Sequence, residues 1–463
     1  MELKIKRNNI LLFSLLNIFI LQLVFFIFVE FINLERVVLP ILFSLIIAVG
    51  SYFILNIQQK DKFISKIYLI SILVHFCFIL FWQILKYYIL GLPFPTGMNF
   101  SAYISDVDGI QYHYIASYIA DNFNMNVLSQ KYYGGLFPKI MGLLYFLFGK
   151  NPFIICCLNS IIGAFVSVIT YIIGKNVLKN YNLSKIYALL CIFCTSYIVN
   201  TSVLMRDVYI TLFMYLTIYF SFNLLKKKNL IYLFLSLISL YILYLFRPYA
   251  AIIVFIGIIV GNLVKKIKYE KLRNKLRVNK WTFIVIIISP IILFLIISGL
   301  KFLLNNSMLF IKEFSVTSLI NVRDTAYVGS NSDYSWDFTM LYNIFPLLPF
   351  FIGYICLFFA PFPYEWVYVK RLHFVPDMLV LYCILPSFFK NLKFLFKGKN
   401  YYLLVYFFTM FIMFSIYCIT VGNSGTIHRL RGPFIPMIYL IAMSKPDKFL
   451  NRILNRIQKW RLL

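Results

Sequence analysis

Apolar runs long enough to cross a bilayer recur along the whole chain, and no other feature restricts its fold as much. The hydrocarbon core of a membrane is about 30 Å thick and takes roughly 20 apolar residues as a helix. A backbone crossing it must satisfy its own hydrogen bonds, so such runs enter as helices. Composition agrees: 62% of the 463 residues are hydrophobic and 13% charged, where a soluble domain has about half and a quarter. The expected fold is all-α, a polytopic transmembrane helical bundle forming one integral membrane domain over residues 1–463. Lys and Arg number 44 against 16 Asp and Glu, a net charge of +28. Most of the excess lies in short loops, the pattern of segments held at the cytoplasmic face. The implied partner is the lipid bilayer with its anionic headgroups. Nothing resembles a nucleic-acid module, so no nucleic acid is expected.

Lys4, Lys6 and Arg7 precede an apolar run over 10–31 that has spanning length and lacks a small-residue cleavage site. It reads as a first span with a cytoplasmic N-terminus rather than as a signal peptide. Further spans are expected over 37–57 and 67–90. Residues 91–152 then form a polar external loop, with amphipathic helices over 108–120 and 136–148 lying along the membrane surface. Spans over 153–173, 186–204 and 208–225 follow, then two short spans flanking Arg247-Pro248, a loop over 265–280 with eight Lys/Arg, and a span over 281–300. A second external loop covers 301–339. Pro346, Pro349, Pro361 and Pro363 make 340–361 a poor regular helix. Letting it cross would put the basic C-terminal loops outside, so it reads as re-entrant. Twelve spans among thirteen apolar elements result, with both termini cytoplasmic. The eight cysteines lie in or beside apolar runs, and Cys191 and Cys194 have CxxC spacing without a second pair or a nearby histidine. They read as small buried hydrophobes.

Acidic residues are scarce enough to mark positions where they have work or a partner. Asp106 and Asp108 open the helix of the first external loop, with Tyr112 and His113 on the following turn. The pair could supply a general base or metal ligands, and Asp106 could equally be an N-cap. Asp207, beside Arg206 at the external end of a span, reads as a local ion pair or as a second acidic arm. Arg247, at the tip of a tight hairpin, either snorkels or lines an anion pocket. His428, Arg429 and Arg431 lead into Gly432-Pro433, where Pro433 suits the first turn of a helix. Guanidinium groups at a helix N-terminus make an anion site suited to phosphate. External carboxylates together with arginines match a reaction in which a phosphate leaves and a hydroxyl attacks, and lipid-linked sugar donors fit it.

Asp108-x3-Tyr112-x3-Ala116 resembles the first external-loop motif of the GT-C glycosyltransferases, particularly the bacterial relatives of protein mannosyltransferases and aminoarabinose transferases. The stretch from Phe137-Pro138 to Phe148-Gly149 is similar to their Tyr-Pro-led helix ending in Phe-Gly, and Asn159-Ser160, Gly163 and Tyr171 to Gly174 continue the likeness. Asp207 stands where such families often have a second acidic residue, and Arg429 to Pro436 resembles their arginine-led final helix. The likeness covers about residues 100–260 and, loosely, the C-terminal helix. Two departures are visible: Gly109 follows Asp108 where many relatives have Asp-Glu, and the middle external loop is short.

The resemblance implies a GT-C type bundle in the cell membrane and an inverting transfer from a polyprenyl-phosphate-linked sugar. The acceptor would be a glycan, lipid or protein at the external face. Asp108 would be the base, with Arg429, Arg431, His428 and Arg247 on the donor phosphate. Asp106 or Asp207 would hold a divalent metal, Mg or Mn, or orient the acceptor with Arg206, Tyr112 and His113. Two other classes fit the membrane pattern: a polymerase or ligase of surface-polysaccharide repeat units, and a lipid-linked oligosaccharide flippase. The flippase fits least, because a transporter carries its sites at mid-membrane depth, and the expected spans are nearly free of ionisable groups, Glu30 being an exception near an end.

Overall fold

The computed structural model describes residues 34–58, 61–90, 107–122, 135–150, 152–202, 204–274, 338–345, 347–367, 374–395, 400–422 and 424–459. The spans expected over 10–31 and 281–300, most of the second external loop, and Asp106 lie outside them. In chain order the helices are α1 (Leu34–Gln58), α2 (Phe63–Leu90), α3 (Val107–Asn122), α4 (Phe137–Phe148), α5 (Pro152–Leu178), α6 (Tyr181–Ile192), α7 (Thr195–Ser202), α8 (Asp207–Lys227), α9 (Leu230–Phe246) and α10 (Pro248–Asn274). They continue with α11 (Phe338–Ile344), α12 (Leu348–Phe359), a 3-10 turn (Pro363–Val367), α13 (Val375–Leu395), α14 (Tyr401–Thr420), α15 (Ser424–Arg431), a 3-10 turn (Gly432–Phe434), α16 (Ile435–Met443) and α17 (Lys448–Lys459). No strand occurs among the described residues. Four stretches, Ile154–Leu178, Asp207–Lys227, Val375–Leu395 and Tyr402–Thr420, are long and apolar enough to cross a membrane. The described residues are thus all-helical, with apolar helices of a membrane protein.

It divides into two compact units, one of Met1–Ile252 with Asn451–Leu463 and the other of Ile253–Leu450. In the first, α5 is the central helix, packed by α1, α2, α6, α7 and α8. Its core face is apolar, and two of the polar groups it buries reach across to neighbouring segments. Ser167 meets Ser71 of α2 at 2.9 Å, and Asn159 donates to the Met205 carbonyl at 3.1 Å. At the Lys175 end, Asp61 accepts from Lys175 at 2.6 Å and from the Tyr171 hydroxyl at 2.9 Å, tying the start of α2 to α5. The stretch expected as one span over 186–204 is broken into α6 and α7. The Cys194 carbonyl accepts the N–H groups of both Tyr197 and Ile198 and so starts a new helix. The basic residues expected in a loop after 265 lie, up to Arg273, on α10 itself.

In the second unit, α14 packs against α12 and α16, and α13 against α16. Gly353 of α12 meets the Cys418 backbone so closely that a Cβ there would collide with its carbonyl oxygen. Helix α12 has 12 residues and is about 18 Å long, short of the hydrocarbon thickness. Asn391 of α13 donates to the Ile441 and Ala442 carbonyls, both at 2.9 Å.

Candidate functional site

The site in the first unit is built on the turn between α9 and α10. Arg247 leaves the helix in an extended conformation, φ −156 and ψ 94, and Pro248 opens α10, where the missing N–H is no loss. The last carbonyls of α9 need partners from elsewhere. Leu243 receives the Arg247 N–H at 2.8 Å, Leu245 the Leu136 N–H at 3.0 Å, and Phe246 the Arg206 guanidinium at 3.0 Å. Gly135 makes the second contact feasible. Its φ of 61 is left-handed, and a Cβ there would collide with the Leu245 carbonyl oxygen.

Arg206 and Asp207 open α8 and grip that turn in opposite senses. Arg206 donates to the Phe246 carbonyl, while Asp207 accepts the next residue's charge: its Oδ1 lies 3.4 Å from Arg247 Nη1. The Asp207 and Arg247 side chains are 4% and 7% exposed. Asp207 sits in the first turn of α8, where the helix dipole favours a carboxylate. The Arg206 guanidinium also lies over the Tyr112 ring, 5.9 Å from its centroid.

Asp108 and Tyr112 approach from α3, four residues apart and so on one face. Tyr112 is buried edge-on to Phe137, and Phe137, Tyr209 and Phe246 continue as a contiguous aromatic layer. Burial pushes the Tyr112 phenol up to about 12; Arg206 and Arg247 oppose the rise, and Asp108 and Asp207 add to it. Five expected residues, Asp108, Tyr112, Arg206, Asp207 and Arg247, are therefore brought together. His113 points elsewhere: its Nδ1 is 3.0 Å from the Tyr145 hydroxyl on α4. Burial, and then Lys150, lower its pKa to about 4, so it is a neutral packing residue of the α3–α4 pair.

The C-terminal candidates lie in the second unit. They were expected ahead of a helix N-terminus, but α15 already begins at Ser424, so His428, Arg429 and Arg431 occupy its last turn. Arg431 is fully buried. Its Nη1 donates to the Leu357 carbonyl at 2.9 Å and the Ala360 carbonyl at 2.8 Å, and its Nη2 lies 3.0 Å from Met378 Sδ. It caps the C-terminus of α12, where a cation is favoured. His428 Nε2 lies 3.5 Å from Asp377 Oδ2, with Phe374 packed on the imidazole. Burial lowers the His428 pKa to about 4, with Asp377 opposing and Arg431 assisting. Arg429 is half-buried. Sequence reasoning passed over Asp377. Its signal was an acid directly after Pro376 at the start of an apolar run, a position that reads equally as a helix start.

Among the described residues no group of three or more His, Cys, Asp or Glu is placed to hold a metal ion. The Asp207 carboxylate already faces a guanidinium, so it does not fit as a cation ligand in this arrangement. No family model, curated protein or solved structure matches this chain.

Proposed function

We propose that this protein is a multi-pass cell-membrane glycosyltransferase of GT-C type, moving a sugar from a polyprenyl-phosphate-linked donor to an acceptor hydroxyl at the external face. The acceptor belongs to a glycan, a lipid or a protein. One observation carries the reading: Asp108, Tyr112, Arg206, Asp207 and Arg247, from three separated stretches of chain, gather at the α9–α10 turn. A carboxylate beside two guanidinium groups suits attack by a hydroxyl with departure of a phosphate. The acceptor oxygen bonds to the anomeric carbon, and Asp108 takes its proton. The bond from that carbon to the phosphate oxygen breaks, and the electron pair leaves with the phosphate, which inverts the sugar. Arg206 and Arg247 stabilise the charge that develops there. Arg206 Nε is buried and meets no acceptor among the described residues, so it has a hydrogen bond left to give. Asp207 acts in this scheme as the partner that orients Arg247.

The test is Asp108→Asn in purified protein, assayed for transfer and, separately, for donor binding. The amide keeps the shape but accepts no proton. Transfer is expected to fall by about 10²–10⁴-fold with donor binding retained. Near-normal turnover would remove Asp108 as the base and the reading with it.

A further inference from the structure

A second surface, independent of the proposed transfer reaction, joins the end of α13 to the start of α17. The apolar α16 ends at Met443, and the chain emerges at Ser444 and Lys445, both exposed. The turn that follows is fastened to α13. The Asp447 N–H donates to Ser387 Oγ at 3.0 Å, Asn391 holds the Ile441 and Ala442 carbonyls, and Lys445 Nζ sits 3.8 Å from the centroid of the Phe394 ring. Asp447 then caps α17, its Oδ1 accepting the Leu450 N–H at 2.8 Å.

The result is a cationic surface. Lys390 and Lys393 from the end of α13 are exposed, as are Lys445 and Lys448. Lys448 lies on the exposed side of α17. Leu450 and Leu454 occupy the buried side of the same helix. Helix α17 contains no acidic residue, and Asp447 is engaged as its cap. Because α13 is long enough to span and α16 is wholly apolar and buried, these cations stand where apolar segments end. That is the depth of lipid headgroups. Lysines offer point charges there that attract phosphate oxygens.

We infer that Lys390, Lys393, Lys445 and Lys448 form a binding site for the phosphodiester headgroups of anionic phospholipids. The leaflet is the one at this end of α13, the cytoplasmic one in the proposed topology. The site orders acidic lipid against the C-terminal helix and anchors it.

The experiment uses the full-length protein reconstituted in phosphatidylcholine bilayers containing a trace of spin-labelled phosphatidylglycerol or spin-labelled phosphatidylcholine. Electron paramagnetic resonance reads the fraction of each label immobilised at the protein boundary. The native protein is expected to prefer phosphatidylglycerol, and the preference should fade as salt is raised to about 1 M. The variant K390Q/K393Q/K445Q/K448Q should lose at least about fivefold of that preference at low salt. The control K226Q/K227Q/K228Q removes exposed lysines at the end of α8 and should keep most of it. No preference in the native protein, or equal loss in both variants, would overturn the site. If the first variant proves unstable, the native protein decides the matter through salt: a preference unchanged at about 1 M salt overturns an electrostatic site.

Discussion

An acid and a base buried together stabilise a protein only while both remain, and Asp207 and Arg247 are such a pair. Removing one leaves an uncompensated buried charge, which costs on the order of 3 kcal/mol. Asp207→Asn should therefore lower the thermal midpoint sharply, and the double change with Arg247→Gln should recover much of the loss while leaving transfer abolished. A double variant no more stable than Asp207→Asn would show that the two are not coupled. The two C-terminal arginines should separate in the same kind of measurement. Arg431→Lys loses the guanidinium whose Nη1 holds the Leu357 and Ala360 carbonyls while its Nη2 reaches Met378 Sδ, so the thermal midpoint should fall. Arg429, half-buried, should leave the midpoint in place when changed to lysine. The reverse pattern would exchange their roles. His428 supplies a pH dependence. Its pKa in the folded protein is about 4, below the ordinary value of roughly 6.5, so unfolded chains bind the extra proton in that interval. Stability should be intact above about pH 6.5 and decline as the pH falls towards 4. His428→Gln should flatten the decline, and an unchanged slope in that variant would assign it to other groups.

At the scale of elements, the proposed site depends on how α9 ends. Its terminal carbonyls are met by Leu136 and Arg206, so the loop before α4 and the start of α8 both fix the direction of Arg247. Gly135→Ala should break this junction. It places a side chain at φ 61 and against the Leu245 carbonyl oxygen, a change expected to cost more than about 1 kcal/mol from the backbone conformation alone. Thermal midpoint and transfer should fall together. A variant as stable and active as the native protein would show that the Leu136–Leu245 contact is dispensable. Helix α12 carries the opposite lesson about length. Twelve residues do not cross a bilayer, so its C-terminal carbonyls end among protein groups, and a buried guanidinium meets them.

For the whole molecule, the expected topology makes a prediction that needs no knowledge of substrate. In a background lacking the eight cysteines, a single cysteine at Gln111 of α3 should react with an impermeant thiol reagent in intact cells. One at Asn455 of α17 should react only after lysis. Both positions are exposed on their helices, so access is decided by sidedness. Labelling at Asn455 and not at Gln111 would invert the topology and take the proposed site away from the external face.

The sequence by itself determined that this is an all-helical membrane chain, because hydrocarbon admits few other backbones and the length of an apolar run is read directly. It also marked Asp108, Arg206, Asp207 and Arg247, because charge is rare enough here to be conspicuous, and Tyr112 by its spacing from Asp108. What those charges meet was not legible, since partners such as Asp207 and Arg247 are forty residues apart in the chain. The break at Cys194 was hidden for a related reason: uniformly apolar segments lack the amphipathic period that reports helix limits. Tertiary structure alone decided that Arg431 closes the end of α12, that Asp377 stands beside His428, and that His113 turns to Tyr145. Each of these is set by which helix packs alongside, and a one-dimensional pattern carries no record of that.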